Sequence, residues 1–532
     1  MTFKKNPKMK RRSFIKNAGV GAVMPSLFGK YGAEAVGLSP WLQSITNAAT
    51  ETDHVLVIVR LNGGNDGLNM VIPLDQYTGL ATARPNILIN ESEVLKLNGN
   101  TATGLHPSMT GMQSLYNEGK VKIIQGVGYP TPNFSHFRAT DIQMTASESA
   151  QVLTTGWVGR YLSTEYPNYP TAYPNTTMPD PLAIQLNEMT LTFQGPTTVM
   201  GLTITDPNNP YNFLDDNGNT LTGKMGKELT YLRTIAKQAD KYGETIKAAY
   251  AKATNLVIYP AATNSLANQL KIVARLIKGG LKTRVYMVQI GGFDTHASQV
   301  AADNHKIGNH ANLMAQLSDA ITAFQRDIEA MRIQDRVLGM TFSEFGRRIN
   351  SNASSGTDHG AAYPAFVFGT RIFGGVLGAS PTIAASTANA NVNMQYDFRS
   401  IYSSILKDWF CVNSTDLTAI MLKNFQALPI VNSPTCVTAT HDLNVAAGKK
   451  LISNYPNPFS FATTIDFETA GGHTMVQVYD IEGQLIATPV DGEYLEGKYK
   501  VYYNAGYLPA GVYHLRLQNG AISQVKSMVK VN

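Results

Sequence analysis

Three short segments of the chain combine glycines with side chains that bind cations. They are Asn62-Gly-Gly-Asn-Asp66-Gly67, Gly291-Gly-Phe-Asp294-Thr-His296 and Gly356-Thr-Asp358-His359-Gly360. Carboxylates and imidazoles together form the mixed oxygen and nitrogen ligand sets that divalent cations take in proteins. The segments therefore predict a metal site with the following ligands: Asp66, Asp294, His296, Asp358 and His359.

Apolar runs stand close before these segments and are predicted to be strands. Val55–Leu61, Arg284–Ile290 and Val337–Phe342 have the near-continuous apolar composition of strands buried on both faces of a sheet. Because the carboxyl ends of parallel strands meet at one edge of the sheet, ligands that follow different strands converge there. Glu344 follows the third run and is a further candidate ligand. A structural ion pair with Arg347 is an equally good interpretation of this glutamate.

Residues between the first two candidate ligand groups offer a nucleophile. Val121–Val127 is predicted to be a strand, and a helix is predicted over Phe134–Met144, with Ser135, His136 and Arg138 near its start. A serine at a helix N-terminus lies at the positive end of the helix dipole, and a nearby divalent ion favours its alkoxide. The alternatives are a plain N-cap for the serine, a ligand, proton-donor or structural role for the histidine, and an anion-binding or solvent-facing role for the arginine.

The alternation of strand-like and helix-like segments over residues 52–425 predicts an α/β domain. Apolar residues three or four positions apart predict helices over Leu266–Ile277 and Leu313–Met331, and a closing helix is predicted over Ile401–Phe410. At 532 residues, 43% of them hydrophobic, the chain is long enough for a large core and more than one domain.

The basic balance of the chain comes from its N-terminus. Eight basic residues precede the first acidic residue, Glu34, and removing them from the total of 44 leaves 36 basic against 38 acidic residues. The net charge of +6 therefore gives no indication of nucleic-acid binding, and no nucleic-acid partner is expected. Lys10-Arg-Arg-Ser-Phe-Ile-Lys16 before a short apolar stretch predicts a twin-arginine export signal within residues 1–50, with a Sec signal or an amphipathic helix as alternatives. No later run reaches the length of a membrane helix, so none is expected in the mature chain.

The two cysteines, Cys411 and Cys436, allow two interpretations. They pair across a modest loop in an oxidising compartment, or they remain two buried thiols. Two cysteines are too few for a disulfide scaffold or for a cysteine-ligated zinc site.

A change in composition near residue 430 indicates a second domain. After a linker over residues 426–450, short alternating segments predict a small β-sandwich over residues 451–532. Tyr455-Pro-Asn-Pro-Phe459, Val478-Tyr-Asp-Ile-Glu-Gly-Gln484 and Leu508-Pro-Ala-Gly-Val-Tyr513 resemble the C-terminal sorting domain of the type IX (Por) secretion system. The resemblance implies recognition by the type IX translocon and release or attachment at the cell surface. With the predicted leader, the twin-arginine and type IX machineries are the expected export partners. An ordinary appended β-sandwich, for example one that binds carbohydrate, is the alternative.

The larger domain also resembles a known family over residues 53–425. Leu61-Asn-Gly-Gly-Asn-Asp-Gly-Leu-Asn69, Gly156-Trp-Val-Gly-Arg-Tyr-Leu162, Ser343-Glu-Phe-Gly-Arg347 and Gly356-Thr-Asp-His-Gly360 are similar to a twin-arginine-exported bacterial family of unknown function, family 1501. That family lies within the alkaline phosphatase/sulfatase-like superfamily. The resemblance implies an alkaline-phosphatase-like sheet with helices on both faces.

The resemblance also implies cations and a nucleophile. A first cation would be held by Asp66, Asp358 and His359, with Ser135 as nucleophile and bridge. A second would be held by Asp294 and His296. The metal is expected to be zinc, calcium, manganese or magnesium.

The chain departs from the superfamily pattern at three points. Asp294 and His296 are closer together than the usual pair, and no counterpart of the final histidine follows His359 before His441. The sulfatase signature Cys/Ser-x-Pro-x-Arg is absent from Ser135-His-Phe-Arg138. These departures leave the number of ions open and argue against a standard sulfatase.

Together these features lead to an exported, metal-dependent hydrolase of phosphate or related oxyanion esters, sulfate esters included. Its substrate would be a small-molecule or glycan ester, attacked in line by Ser135 beside the metal. The alternative from a different class is a non-catalytic cell-surface binding protein on a degenerate phosphatase-like scaffold. The missing final histidine favours the binding protein, and the retained Thr357-Asp-His-Gly360 favours the enzyme.

Overall fold

The computed structural model describes residues 53–208, 241–383, 389–432, 452–469, 471–481, 484–519 and 522–531. These residues belong to two compact units, one within Thr50–His441 and one within Asp442–Asn532. The predicted twin-arginine leader at residues 1–50 lies outside the described residues, as does most of the predicted linker at 426–450.

The larger unit is built on strands that run along most of its length. They are β1 (Val55–Asn62), β2 (Val71–Pro73), β3 (Leu95–Leu97), β4 (Asn100–Leu105), β5 (Val121–Gly128), β6 (Ala183–Leu186), β7 (Leu202–Ile204), β8 (Val285–Gly291), β9 (Val337–Ser343), β10 (Gly346–Ser351), β11 (Thr357–Gly360), β12 (Tyr363–Phe368), β13 (Gly375–Leu377) and β14 (Tyr396–Asp397). In the described part of the chain, nine of them form one sheet in the order β13-β5-β12-β9-β1-β8-β6-β7, with β14 paired to β5. Strands β2, β4 and β3 form a small separate sheet, and β10 pairs with β11.

Strand β1 lies in the middle of this sheet and shows why its sequence is apolar throughout. It pairs in parallel with β8 on one side and β9 on the other, so that Val59 lies opposite Val288 and Thr341. Val57 and Val59 belong to the hydrophobic core on one face of the sheet, whereas Leu56 belongs to the core on the other face. A strand that is buried on both faces needs apolar residues at successive positions, which is the pattern found in the sequence.

Helices cover both faces of the sheet. They are α1 (Gly67–Met70), α2 (Tyr77–Ala83), α3 (Thr110–Asn117), α4 (His136–Thr145), α5 (Trp157–Glu165), α6 (Ser265–Lys278), α7 (Asn309–Ala330), α8 (Phe398–Asp408) and α9 (Ser414–Met421), with a further helical stretch at 241–252. Helices α3, α6 and α7 contribute to one core, and α4, α5, α8 and α9 contribute to the other. The predicted α/β fold with helices on both faces is confirmed.

Cys411 follows α8, is 5% exposed and is disulfide-bonded. Of the two interpretations that the sequence allowed, the structure therefore favours the disulfide. Cys436 lies outside the described residues.

The described strands of the smaller unit form antiparallel sheets. They are β15 (Ile452–Tyr455), β16 (Ala462–Thr469), β17 (Gly472–Tyr479), β18 (Leu485–Tyr494), β19 (Gly497–Asn504), β20 (Gly511–Asn519) and β21 (Ile522–Lys530). One sheet has the order β15-β16-β19 and the other the order β18-β17-β20-β21. Alternate residues such as Ile465, Val476 and Leu515 form a shared hydrophobic core, so the predicted C-terminal β-domain is confirmed.

No helix in the described ranges combines the length and the apolar character that crossing a bilayer requires.

Candidate metal centre

Chain segments from five strands meet at one edge of the central sheet. Strands β9, β1 and β8 are adjacent and parallel, so their carboxyl ends lie at the same edge. Strand β12 is antiparallel to both β5 and β9, which makes β5 parallel to β9 and brings its carboxyl end to this edge as well. Strand β11 leads into β12 at the same place. Residues that follow β5, β8 and β9, and those of β11, are thus brought close together.

Three imidazoles and one carboxylate form the centre of this site. His136, Asp294 and His359 each offer one ligand atom, and these atoms lie within 4.8 Å of one another. The Nε2 atoms of His136 and His359 lie 3.5 and 3.4 Å from the two carboxylate oxygens of Asp294. His296 lies beside this group of three, because its Nε2 lies 3.1 Å from Asp294 Oδ1 and 2.9 Å from His359 Nε2.

The other ring nitrogen of each histidine faces a hydrogen-bond acceptor. The Nδ1 partners are Glu344 Oε1 for His136 (3.0 Å), Asp358 Oδ1 for His296 (3.3 Å) and the Phe134 carbonyl for His359 (2.8 Å). A neutral ring that donates from Nδ1 to this acceptor has its lone pair on Nε2, the nitrogen nearer Asp294. Burial lowers the pKa of His359, which favours its neutral form. The three Nε2 atoms that approach Asp294 are therefore donors suited to a cation.

The spacing of these donors fits a small divalent ion. In a tetrahedral site with metal–ligand bonds of about 2.0–2.1 Å, neighbouring ligand atoms are about 3.3 Å apart. Four separations between these atoms, from 2.9 to 3.5 Å, bracket that value, and the ligand atoms of His136, Asp294 and His359 all lie within 4.8 Å of one another. The residues present therefore fit a metal ion.

Glu344 and Asp358, both predicted as ligands, lie behind histidines. Glu344 is buried and accepts hydrogen bonds from the Gly63 amide (2.8 Å) and from His136 Nδ1. Asp358 is exposed and accepts from Asn352 Nδ2 (3.1 Å) and from His296 Nδ1, and the Asn352 hydrogen bond lowers the pKa of Asp358. The structure gives these carboxylates contacts that fix the ring orientation of the ligands, through the nitrogen that faces away from Asp294.

Arg347 connects the loops that carry the site. Its fully buried guanidinium donates to Asp294 Oδ1 at 2.7 Å, and it also donates to the carbonyl oxygens of Gly63, Gly64, Phe293 and Thr357. Burial alone raises the pKa of Asp294, but Arg347, His296 and His359 together outweigh it and hold the pKa below its ordinary value. The ion pair between Arg347 and Glu344 that the sequence allowed is not among these contacts, because the carboxylate partner of Arg347 is Asp294.

Two glycines permit the close approach of these loops. A Cβ atom on Gly63, which has a φ of +126°, would lie 2.4 Å from the backbone nitrogen of Asp294. A Cβ atom on Gly356 would lie 2.4 Å from the carbonyl carbon of His296. Any side chain at either position would push apart the segments that bring the ligands together.

Asp66 is buried in an ion pair and, among the described residues, is not part of the ligand group. Both of its oxygens accept from Arg84 Nη1 (2.8 and 3.1 Å), and Oδ2 also accepts from Gln299 Nε2 at 2.6 Å. Its position after β1 agrees with the prediction, but its lone pairs are used by a cationic side chain and an amide. The structure thus gives Asp66 a role in holding the loops.

Ser135 and Arg138 lie at the start of α4, as predicted. Ser135 is the N-cap residue, is exposed, and makes no side-chain capping hydrogen bond within the described residues. Arg138 donates to the carbonyl oxygens of Glu148, Ser149 and Gln151, so its guanidinium stabilises a loop. The anion-binding interpretation of Arg138 therefore has no support in these contacts.

Two family models match the chain. Residues 219–409 match the family described as Protein of unknown function (DUF1501), and residues 453–531 match the Secretion system C-terminal sorting domain. Both family resemblances recognised in the sequence are thus confirmed over these ranges, and the twin-arginine export of the first family stays a prediction. The sorting domain indicates type IX secretion, to the cell surface or into the medium.

Solved structures show a distant likeness. A protein in the alkaline phosphatase superfamily from Vibrio parahaemolyticus matches at 9% identity and a TM-score of 0.30, covering 91% of this chain and 92% of that chain. The PsFucS1 sulfatase from Pseudoalteromonas sp. matches at 10% identity and a TM-score of 0.32, covering 90% and 92%. PorZ, a surface component of the type-IX secretion system of Porphyromonas gingivalis, matches at 17% identity and a TM-score of 0.13, covering 19% of this chain and only 14% of PorZ. No curated protein matches the sequence.

Proposed function

We propose that His136, Asp294, His296 and His359 hold one divalent cation and that the chain is an exported, metal-dependent hydrolase of phosphate or related oxyanion esters. One observation carries the proposal: three imidazoles direct Nε2 towards the Asp294 carboxylate while each Nδ1 faces an acceptor. A hydrogen-bond acceptor at the second ring nitrogen is typical of histidines that ligate metals. Nitrogen donors favour zinc over calcium and magnesium, which prefer oxygen ligands.

The exposure of the ligand group supports a reaction on a substrate from solution. The side chains of Asp294 and His296 are 48% and 44% exposed, whereas Arg347 and Glu344 beneath them are buried. The site is therefore buried on the side of Arg347 and Glu344 and open to solvent on the side of Asp294 and His296. A bound cation would supply electrostatic stabilisation of the negative charge on a phosphate or sulfate group.

Ser135 is the proposed nucleophile. It directly precedes His136 in the chain, and its exposed hydroxyl is not used for helix capping. Attack by Ser135 Oγ on phosphorus or sulfur forms one new bond and breaks the bond to the alcohol, which leaves with the hydroxyl proton. Water then releases the anion from Oγ and restores the serine.

Elemental analysis of the purified protein tests the metal centre, combined with hydrolysis of 4-nitrophenyl phosphate and 4-nitrophenyl sulfate. The expected result is about one zinc, or another divalent ion, per chain. Activity should disappear with a chelator and return on adding the metal. A chain without bound metal, or one whose activity ignores the chelator, would contradict the proposal.

A cell-surface binding protein is the second candidate, and the number of ligands favours it. Three imidazoles and a carboxylate are enough to close a tetrahedral site, as in structural zinc sites, whereas catalytic sites keep one position open. The absorption spectrum of the cobalt-substituted protein separates the two. A spectrum that changes on adding inorganic phosphate or sulfate supports the hydrolase, and an unchanged spectrum supports a closed site.

The route of export completes the proposal. The leader at residues 1–50 is proposed to direct the folded chain through the twin-arginine machinery before type IX secretion. A ligand set collected from distant parts of the chain agrees with export after folding, because His136 and its partner Glu344 are 208 residues apart.

A further inference from the structure

Gln299 lies between β8 and α7, is fully buried, and contacts the two segments that carry the ligands. Its side-chain Oε1 accepts hydrogen bonds from the hydroxyls of Thr295 and Thr357, both at 3.0 Å. Thr295 separates Asp294 from His296, and Thr357 directly precedes Asp358 and His359. One amide oxygen thus joins the two ligand-bearing segments.

Asp66 fixes the orientation of this amide. Gln299 Nε2 donates to Asp66 Oδ2 at 2.6 Å, and Asp66 is itself held by Arg84 at 2.8 Å, with all of these side chains buried. A carboxylate accepts hydrogen bonds and does not donate them. The amide nitrogen must therefore face Asp66, which leaves the amide oxygen for the two threonines.

Backbone hydrogen bonds run along the same contact. The Thr357 amide donates to the Thr295 carbonyl (3.1 Å), the Ser298 amide to Ser354 (2.9 Å), and the Gln299 amide to Ser355 (2.8 Å). These backbone bonds hold residues 295–299 alongside residues 354–357. The Gln299 side chain adds a side-chain cross-link between the same two residues, Thr295 and Thr357.

We infer that Gln299 is a positioning residue, oriented by Asp66, that sets the distance between the Asp294–His296 and Asp358–His359 segments. It touches neither the ligand atoms nor a substrate, so its effect passes through Thr295 and Thr357. The part of this inference that concerns metal affinity rests on the proposed function. The part that concerns the two segments does not.

The test compares Gln299→Leu with Gln185→Leu. Gln185 on β6 is a matched control, because it is also buried and its Oε1 also accepts two hydrogen bonds, from the amide and hydroxyl of Thr190 at 3.0 Å. In the metal-free full chain, Gln299→Leu should speed amide hydrogen exchange over residues 293–299 and 355–360 at least about tenfold more than Gln185→Leu does. Equal exchange in the two variants overturns the inference.

Metal affinity gives the second measurement. Gln299→Leu should weaken Zn²⁺ binding roughly 10–100-fold, as the loss of residues that support metal ligands does in other metalloproteins. It should also change the absorption spectrum of the cobalt-substituted protein. Gln185→Leu should leave both unchanged. An unchanged affinity and spectrum in a folded Gln299→Leu chain would contradict the inference. If the wild-type chain binds no metal, the proposed function fails, and the exchange measurement still decides the inference.

Thr295→Val and Thr357→Val keep the test open if Gln299→Leu does not fold. Each substitution nearly preserves volume and removes one of the two hydroxyl donors. Each should increase exchange in both segments, because the amide then holds only one of them. An increase confined to the mutated segment contradicts the cross-link.

Discussion

The Nε2 atoms of His296 and His359 lie 2.9 Å apart. If each neutral ring donates from Nδ1 to its acceptor, both Nε2 atoms carry lone pairs, and two lone pairs at this distance repel each other. A cation held between the rings would convert this repulsion into two favourable bonds. Under the proposed function, metal binding stabilises this arrangement, and removing either ring should lower the affinity for the metal.

Replacing either ring by alanine should weaken Zn²⁺ binding by more than the roughly 10–100-fold that loss of an outer contact costs. The variants are His296→Ala and His359→Ala, and competition with a fluorescent chelator gives the affinity. His305→Ala is the control, since His305 Nδ1 contacts the Leu88 carbonyl and the ring is not part of the ligand group in the described residues. Wild-type affinity in both ligand variants would contradict the proposed centre.

Glu344→Gln should weaken Zn²⁺ binding roughly 10–100-fold, because a neutral amide orients and polarises His136 less well than a carboxylate. The same chelator competition measures the effect. Glu329→Gln is the matched control, because Glu329 forms ion pairs with Lys120 and Arg326 at the surface. If both variants bind zinc as tightly as the wild type, Glu344 does not position His136 for metal binding.

Ser135→Ala should lower the hydrolysis rate at least about 1,000-fold, as loss of a nucleophile does in other hydrolases. The metal content should stay the same, because Ser135 is not one of the ligands. Ser92→Ala, at an exposed serine that bonds Asn90, is the control for activity. Full turnover by the Ser135 variant would exclude covalent catalysis through this residue.

Asp66→Asn should destabilise the larger unit by about 3–5 kcal/mol, because it leaves the buried Arg84 charge without its partner. Urea unfolding followed by the fluorescence of the buried Trp157 and Trp409 measures the loss. Asp335→Asn, which breaks an exposed pair with Arg371, should cost less than about 1 kcal/mol.

The loss of unfolding free energy caused by Asp66→Asn should also depend on pH. Burial raises the pKa of Asp66, but Arg84, His310 and Gln299 together outweigh it, and the folded-state pKa lies below the ordinary value. The stabilisation is therefore fully present above the unfolded-state pKa of about 3.9 and is lost as the pH falls further through the folded-state pKa. A difference that already vanishes between pH 7 and pH 5 would contradict the ion pair.

Export should depend on both ends of the chain. Residues 453–531 form the sorting domain. Deleting them should therefore leave the protein in the periplasm of its native host. Replacing Arg11 and Arg12 together by lysine should leave it in the cytoplasm, since lysine pairs do not replace the twin arginines. Cell fractionation and immunoblotting measure both. Normal export of the double-lysine chain would favour the Sec alternative.

The sheet and the edge at which the site lies were predictable from the sequence. Strands β1, β8 and β9 are continuous apolar runs, and the helix predicted over Leu266–Ile277 differs from Ser265–Lys278 by one residue at each end. These elements follow from local pattern and periodicity. The order of the strands does not, because the antiparallel strand β12 between β5 and β9 depends on tertiary packing.

The roles of the site residues were predictable only in part. Asp294, His296 and His359 have the motif context of ligands, whereas His136 was recognised beside the candidate nucleophile, with a ligand role as only one of its alternatives. Asp66 has the same context as the ligands, yet its partners Arg84 and Gln299 decide its role. Those two residues lie in no motif, and no signal in a single sequence points to them.

The ligand set also has a consequence for when the metal is acquired. Under the proposed function, no single stretch of the nascent polypeptide holds the whole ligand set, because His136, Asp294 and His359 come from widely separated segments. Occupancy would then be a late event that follows maturation of the tertiary structure. The compartment in which the polypeptide finishes folding decides which ion it meets first.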